Sequence, residues 1–295
     1  MRKLSKIVFG AFLVLTLSLV CFSFNVRADT ASGNVTIQNT APTMGTVTLL
    51  NQAAADEAIT LSAGGTVVVT ASATVTDVNG GASVSSASGT LYHSTSTSGG
   101  ADDENIHITN SSCVLGTPSG NDILATCSFT MNFMALGGTW TANLTAVDDS
   151  SAQVSGTDDN TVNDLAGLDV VEATIDFGSL ELGANSSTGA DMTVRSQGNV
   201  QIDAQYSGNN YTCTVGTIDV GNTNYGLTDV SYDELTTALT ADPTTQTAFD
   251  LGVRGVATAN GANSDENEYL GIKIPTSGVS GTCTNTLTVT AIADA

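Results

Sequence analysis

The sequence predicts an all-β protein built as two tandem β-sandwich domains behind an exported leader. Three observations carry that reading. Apolar and hydroxyl residues alternate with a period of two in run after run, and Gly- and Asn-rich turns separate the runs. Only one short segment carries helix signals. The length of 295 residues suits about two domains.

Residues 1–28 read as a signal peptide. Arg2, Lys3 and Lys6 form a basic start, residues 7–24 are apolar, and Val26-Arg27-Ala28 places small residues where cleavage before Asp29 requires them. The apolar run is also close to the length of a membrane span, so an uncleaved N-terminal anchor stays open as the alternative. Cys21 follows Ser18-Leu19-Val20 and lacks the small residue that a lipoprotein site needs just before its cysteine. Residues 29–40 follow as an N-terminal strand or linker.

The first sandwich is expected over residues 41–160. Residues 46–49, 66–70, 73–76 and 139–147 alternate, and Asn79-Gly80-Gly81, Ser98-Gly99-Gly100 and Gly137-Gly138 mark turns between strands. Alternation puts one face of each strand on a core and leaves Thr, a good β-former that remains soluble, on the other. Trp140 falls on the apolar phase of its run and reads as core. Residues 161–168 form the expected linker, and the second sandwich covers 169–295. Its marks are a new apolar run at Asp169-Val170-Val171 and the alternating run 285–292. Ser231-Tyr232-Asp233-Glu234 has the form of a capping box, with Leu235 and Leu239 on one face and Pro243 beyond, which predicts one short helix.

Charge narrows the partners. The formal net charge is -22, and apart from four bases within the first 27 residues the chain has only Arg195, Arg254 and Lys273. Phosphate binding needs clustered Lys and Arg, so nucleic acid is excluded as a partner. An anionic membrane surface is equally disfavoured, and contact with a membrane is expected only through an uncleaved N-terminal helix. Other envelope proteins, or further copies of this chain, are the expected partners.

Beyond the leader there are four cysteines: Cys113, Cys127, Cys213 and Cys283. An even number in an exported chain favours two disulfides, and three pairings are open. A hairpin centred on Gly120 would set Cys113 directly opposite Cys127, within reach of a bridge. Pairing Cys213 with Cys283 then keeps each bridge inside one sandwich. No CxxC spacing occurs, which removes support for a zinc knuckle or a redox motif.

Several stretches carry a family resemblance. Asn39-Thr40-Ala41-Pro42-Thr43, then residues 73–80, Cys127-Ser128-Phe129-Thr130-Met131 and residues 138–148 together resemble the immunoglobulin-like (PKD- or cadherin-like) modules of prokaryotic cell-surface proteins. Residues 175–183, Gly198-Asn199-Val200-Gln201-Ile202 and residues 274–282 are similar to a module often found beside them. The resemblance implies two immunoglobulin-like sandwiches in an envelope or S-layer-associated protein that spaces, adheres or assembles. It brings no catalytic residues with it.

Signatures of chemistry are sparse. His93 and His107 stand in no HExxH or other metal-ligand spacing, and no GxSxG elbow, dinucleotide loop or P-loop occurs. Asp176-Phe177-Gly178 matches three letters of a kinase motif without its partners and reads as a strand end. No cofactor is expected, with calcium as the exception. Of the acidic clusters at 102–105, 148–149, 158–164 and 265–268, the group Asp158, Asp159, Asn160 and Asp164 lies at the expected junction, where a calcium ion would stiffen the hinge. Sequons stand at Asn34, Asn110, Asn143, Asn185 and Asn210, a number that the Asn, Ser and Thr content yields by chance.

These readings converge on a non-catalytic, secreted or cell-surface protein of a prokaryotic envelope with a structural or adhesive role. One alternative is a subunit of an extracellular filament, in which residues 31–38 leave their own sandwich to complete a neighbour's sheet. The other is a secreted carbohydrate-binding module or hydrolase, which would need a cleft with convergent carboxylates or aromatics.

Overall fold

Strand pairing dominates the computed structural model, which describes residues 32–172, 174–254 and 264–294. The expected signal peptide, Ala31 and the turn at 260–263 lie outside the described residues. The chain divides into two units, Met1–Gln38 and Asn39–Ala295. Residues 32–38 of the first unit are exposed and carry no strand. The strand expected within 29–40 is therefore not formed over the described part. Extended backbone with no neighbouring strand has nothing to satisfy its amides except water.

Within the second unit the sheets fall into two sets. The first set uses β1 (Thr43–Met44), β2 (Thr48–Leu50), β3 (Thr66–Thr76), β4 (Val84–His93), β5 (His107–Asn110), β6 (Val114–Leu115), β7 (Asp122–Asn132), β8 (Gly138–Asp148) and β9 (Gln153–Val162). One antiparallel sheet runs β1-β3-β7-β6 with β2 also on β3, and the other runs β5-β4-β8-β9. Val69, Ala71, Phe129 and Met131 from the first sheet meet Leu91, Trp140, Ala142 and Leu144 from the second in one core. The alternation read from the sequence is the cause: β8 buries every second residue and leaves mostly Thr on its other face. Trp140 is fully buried, and its indole N–H donates to the Leu136 carbonyl at 2.7 Å.

The second set comprises β10 (Leu168–Val170), β11 (Ala190–Ser196), β12 (Ile202–Gly208), β13 (Tyr211–Val215), β14 (Thr217–Ile218), β15 (Thr223–Gly226), β16 (Thr237–Ala238), β17 (Thr244–Leu251), β18 (Asp265–Ile272), β19 (Ser280–Thr284) and β20 (Leu287–Ala293). The sheet β10-β11-β18-β15-β16 packs Met192, Val194, Tyr225 and Leu270 against Ile202, Tyr206, Phe249 and Leu251 of the sheet β17-β12-β20. The strands β12 and β20 continue past a kink at Asn209 into the pair β13 and β19, with Asn209 accepting from the Thr286 N–H at 2.6 Å.

Three expectations need correction. First, β9 carries the first set of sheets to Val162, so residues 161 and 162, expected at the start of the linker, are strand. Its Thr, Asp and Asn residues give it little apolar alternation, and it is held by its ladder to β8. Second, residues 231–235 make a single turn and not a helix. The Ser231 N–H does donate to the Glu234 carboxylate at 3.3 Å, as in a capping box, but Thr237 and Ala238 then pair with β15. Sheet pairing of β-branched residues overrides a cap that has too few helix-forming residues after it. Third, residues 174–182 form no strand, although Ile175 and Phe177 still pack on the core and Gly178 turns at φ 72°.

Disulfides join Cys113 to Cys127 and Cys213 to Cys283. The pairing of Val114 with Thr126 and Leu115 with Ala125 sets the first two cysteines opposite one another, and Cys213 is registered directly against Cys283. The bridges span 14 and 70 residues of sequence. Loop-closure entropy grows with that span, so replacing Cys213 and Cys283 by Ser should cost about 4 kcal/mol, against about 3 kcal/mol for Cys113 and Cys127. Thermal melts of the two double variants in one buffer check both the losses and their order.

Candidate functional site

The residues that could bear chemistry are mostly committed to structure. His93 bonds through Nδ1 to the Thr95 hydroxyl at 2.9 Å and through Nε2 to the Gly137 carbonyl at 3.1 Å, with its ring against the edge of Trp140. Almost fully buried, His107 meets Asp102 at 3.2 Å through Nδ1 and stacks on Tyr92. The Thr109 hydroxyl, against a smaller effect of burial and together with His107, holds the Asp102 carboxyl below the usual carboxylate range. Among the described residues no hydroxyl or thiol nucleophile bonds to the His107 ring, and neither histidine lines the cleft described below.

The four residues expected to share a calcium ion do not converge. Along β9 the side chains of Asp158 and Asn160 point inward, whereas Asp159 between them points to solvent. Asp158 accepts from the Leu49 N–H at 2.7 Å, and the Asn160 amide donates to the carbonyls of Leu49 and Glu57. They tie β9 to β2 and the loop after it. Asp164 lies apart, beside Gly137. Among the described residues no three His, Cys, Asp or Glu side chains gather so as to hold a metal ion. Two of the other clusters serve turns: Asp103 accepts from the Asn105 N–H, and Asp148 accepts from Ser150 and Ala152 and from the Asn39 amide.

Sequons divide by environment. Asn34 and Asn210 are exposed. The Asn110 amide donates to the Ser128 carbonyl and that of Asn185 to Asp233, while Asn143 lies in the middle of β8, with its side-chain oxygen buried.

A buried asparagine helps join the two sets of sheets, alongside the Asn105 amide on the Arg254 carbonyl and the Gly64 N–H on the Gln197 carbonyl. Asn199 is 3% exposed. Its amide donates to the carbonyls of Ala135 and Asn163, and its oxygen accepts from the Leu165 N–H at 2.6 Å. Next to it Gly198 packs so closely on the Leu165 carbonyl that a Cβ would collide with backbone. This Gly-Asn junction fixes residues 163–165 against residues 198–199. In the sequence Gly198-Asn199 is only a fold mark, because nothing local shows which carbonyls an Asn will meet.

A cleft of about 1140 Å³ lies on one side of the second set of sheets. Val170, Met192 and Leu270 line one wall, and Leu287 and Val289 the other. Its origin is the shortness of β10. That strand pairs with β11 only over residues 194–196, and after the Val171 N–H has donated to the Thr193 carbonyl the chain turns away. Glu172 marks the departure. Burial pushes its carboxyl up, but bonds from the Thr193 N–H and hydroxyl prevail and hold it low. Residues 174–182 then cross the mouth of the cleft with no strand pairing, so the sandwich stays unclosed there.

Deeper in the same core, Glu268 is fully buried, and neither of its carboxyl oxygens nor the hydroxyls of Tyr206 and Tyr225 completes a hydrogen bond. Desolvation raises its pKa to about 8. The Tyr206 hydroxyl, near but short of a formed bond, opposes that shift, and Glu266 adds to it. Burial and the same carboxyl push Tyr206 upward in turn. The residue was legible only as part of an exposed-looking acidic run; its burial follows from its phase on β18.

No family model matches the chain, and no curated protein does. Similar solved structures include the C-terminal domain of the Streptococcus agalactiae AgI/II polypeptide BspA, at 11% identity and a TM-score of 0.21 over 86% of this chain and 96% of that one. Another is the C-terminal domain of the Streptococcus pyogenes antigen I/II-family protein AspA, at 11% identity and 0.23 over 85% and 100%. At these TM-scores the likeness carries no functional argument.

Two outcomes follow. Replacing Asn199 by Ala strands two carbonyls and one N–H, and should cost about 2–4 kcal/mol, seen as a lowered melting temperature. The Glu268 carboxyl keeps its proton when folded and loses it near pH 4.5 when unfolded. Its contribution is therefore full below pH 4.5 and lost as the pH rises to about 8. Glu268→Gln should abolish that part of the fall and stabilise the protein at pH 8 by at most roughly 4 kcal/mol. Melting curves of both proteins from pH 4 to 9 measure the difference.

Proposed function

We propose that the chain is a non-catalytic structural or adhesive protein of a prokaryotic cell surface, exported and stabilised by its two cystines. The observation that carries this reading is the placement of the four cysteines. Each pair lies on opposed strands, one pair in each set of sheets, which is a framework suited to an oxidising compartment. A net charge of -22 on Thr-faced strands keeps such a molecule soluble and unaggregated outside the cell. The roles found for His93, Asp148 and Asp158 support a structural protein, since each side chain completes a local bond network.

Fractionation of the producing cells followed by peptide mapping tests the proposal. The chain is expected in the envelope or the medium, begun at Asp29, with Cys113 linked to Cys127 and Cys213 to Cys283. A cytoplasmic chain with four free thiols would overturn the proposal. Turnover in a hydrolase screen, abolished by substitutions in the cleft, would replace it with an enzymatic one.

A further inference from the structure

The open side of the second set of sheets has the features of a strand acceptor. β20 pairs with β12 along one edge, and among the described residues its other edge has no strand partner. Leu287 and Val289 face the cleft from that strand, half-buried and packed at the margin of the core. Residues 174–182 lie across the mouth, yet among the described residues no backbone hydrogen bond joins them to β20 or β11. The result is a groove of mixed lining, apolar where Leu287 and Val289 face it, beside a row of backbone groups unpaired among the described residues, a combination that templates another strand.

The same chain carries a segment of matching chemistry. Val35 and Ile37 are 85% and 79% exposed, the highest values among the exposed large apolar side chains of the described residues. They stand two apart in Asn34-Val35-Thr36-Ile37-Gln38, which has no strand partner. In an extended strand they would share one face about 6.6 Å apart, the spacing that Leu287 and Val289 have on β20. Residues 31–55 contain no charged side chain, in a molecule whose formal charge is -22. An uncharged strand can enter an acidic neighbour without repulsion, whereas two whole acidic surfaces resist contact.

We infer that the groove beside β20 accepts residues 34–38 of a second copy of this chain. The donated strand pairs with β20 and places Val35 and Ile37 in the cleft against Leu287 and Val289. Donor and acceptor are different parts of the chain, so the contact is head-to-tail and propagates into a filament unless its rotation closes a ring. The inference rests on the surface-protein reading and names the contact through which that protein assembles.

Cross-linking of full-length secreted chains tests it. Thr36, Thr288 and Thr290 are exposed, so cysteines there leave the core intact. Chains carrying T36C, mixed under mild oxidation with chains carrying T288C or T290C, should yield a disulfide-linked dimer. Adding V35D and I37D to the T36C chain should abolish that dimer and leave its melting temperature unchanged. A labelled peptide of residues 32–40 should bind the wild-type chain, and its Val35→Asp, Ile37→Asp version about a hundredfold more weakly. Dimers insensitive to the aspartates, linkage of position 288 or 290 to a different protein, or no linkage and no peptide binding because residues 174–182 keep the groove closed would each overturn the inference. A chain found in the envelope that fails these tests leaves the surface role standing. A cytoplasmic chain removes that role, whatever the cross-linking shows.

Discussion

A β-sheet makes two demands at once: its apolar face must be covered, and its edge strands must dispose of unpaired N–H and C=O groups. Everything in this molecule follows from how the two sets of sheets meet those demands. The first set meets both. Long strands β3, β7, β4 and β8 cover one another face to face, the short strands β1, β2, β5 and β6 end the sheets in brief segments, and the long edge strand β9 is tied to β2 and the loop after it through Asp158 and Asn160. The second set covers its faces but leaves one side open, because β10 stops at Val170 while β11 and β20 continue beyond it. The cleft is the space that a longer β10 would have filled.

Buried polar groups give each region its character. Asn199 meets three backbone groups at once and so converts a bend in the chain into a fixed junction. Asp148 does the same for the hairpin between β8 and β9, where it accepts from two N–H groups and from Asn39. Glu268 is the opposite case. It sits in the core with its oxygens unpaired, and the site tolerates it by keeping it protonated. Satisfied polar groups stiffen the structure, whereas Glu268 makes the second core sensitive to alkali.

An acidic surface and an uncharged N-terminal segment divide the work of solubility and contact. Repulsion between copies keeps broad faces apart, so any self-association must pass through a narrow element that carries no charge and offers backbone pairing. Residues 34–38 and the edge of β20 are complementary in that sense: one is a strand without a sheet, the other a sheet edge without a strand.

Local chemistry sufficed for much of the architecture. A period of two, read from Thr139 to Val147, dictates which side chains of β8 are core, including Trp140, because side-chain direction along a strand depends only on position. The turn at Gly120 sets the register that joins Cys113 to Cys127, since a hairpin's pairing follows from its centre. Other features depend on partners distant in sequence, and only the tertiary structure decided them. β9 is a strand because β8 pairs with it, the capping box at Ser231 stops after one turn because β15 claims Thr237 and Ala238, and Asp158 and Asn160 serve β2 because β9 aims them there. The unclosed groove belongs to the same class. It arises from strands of unequal length meeting across a sandwich, a mismatch that no single stretch of residues records.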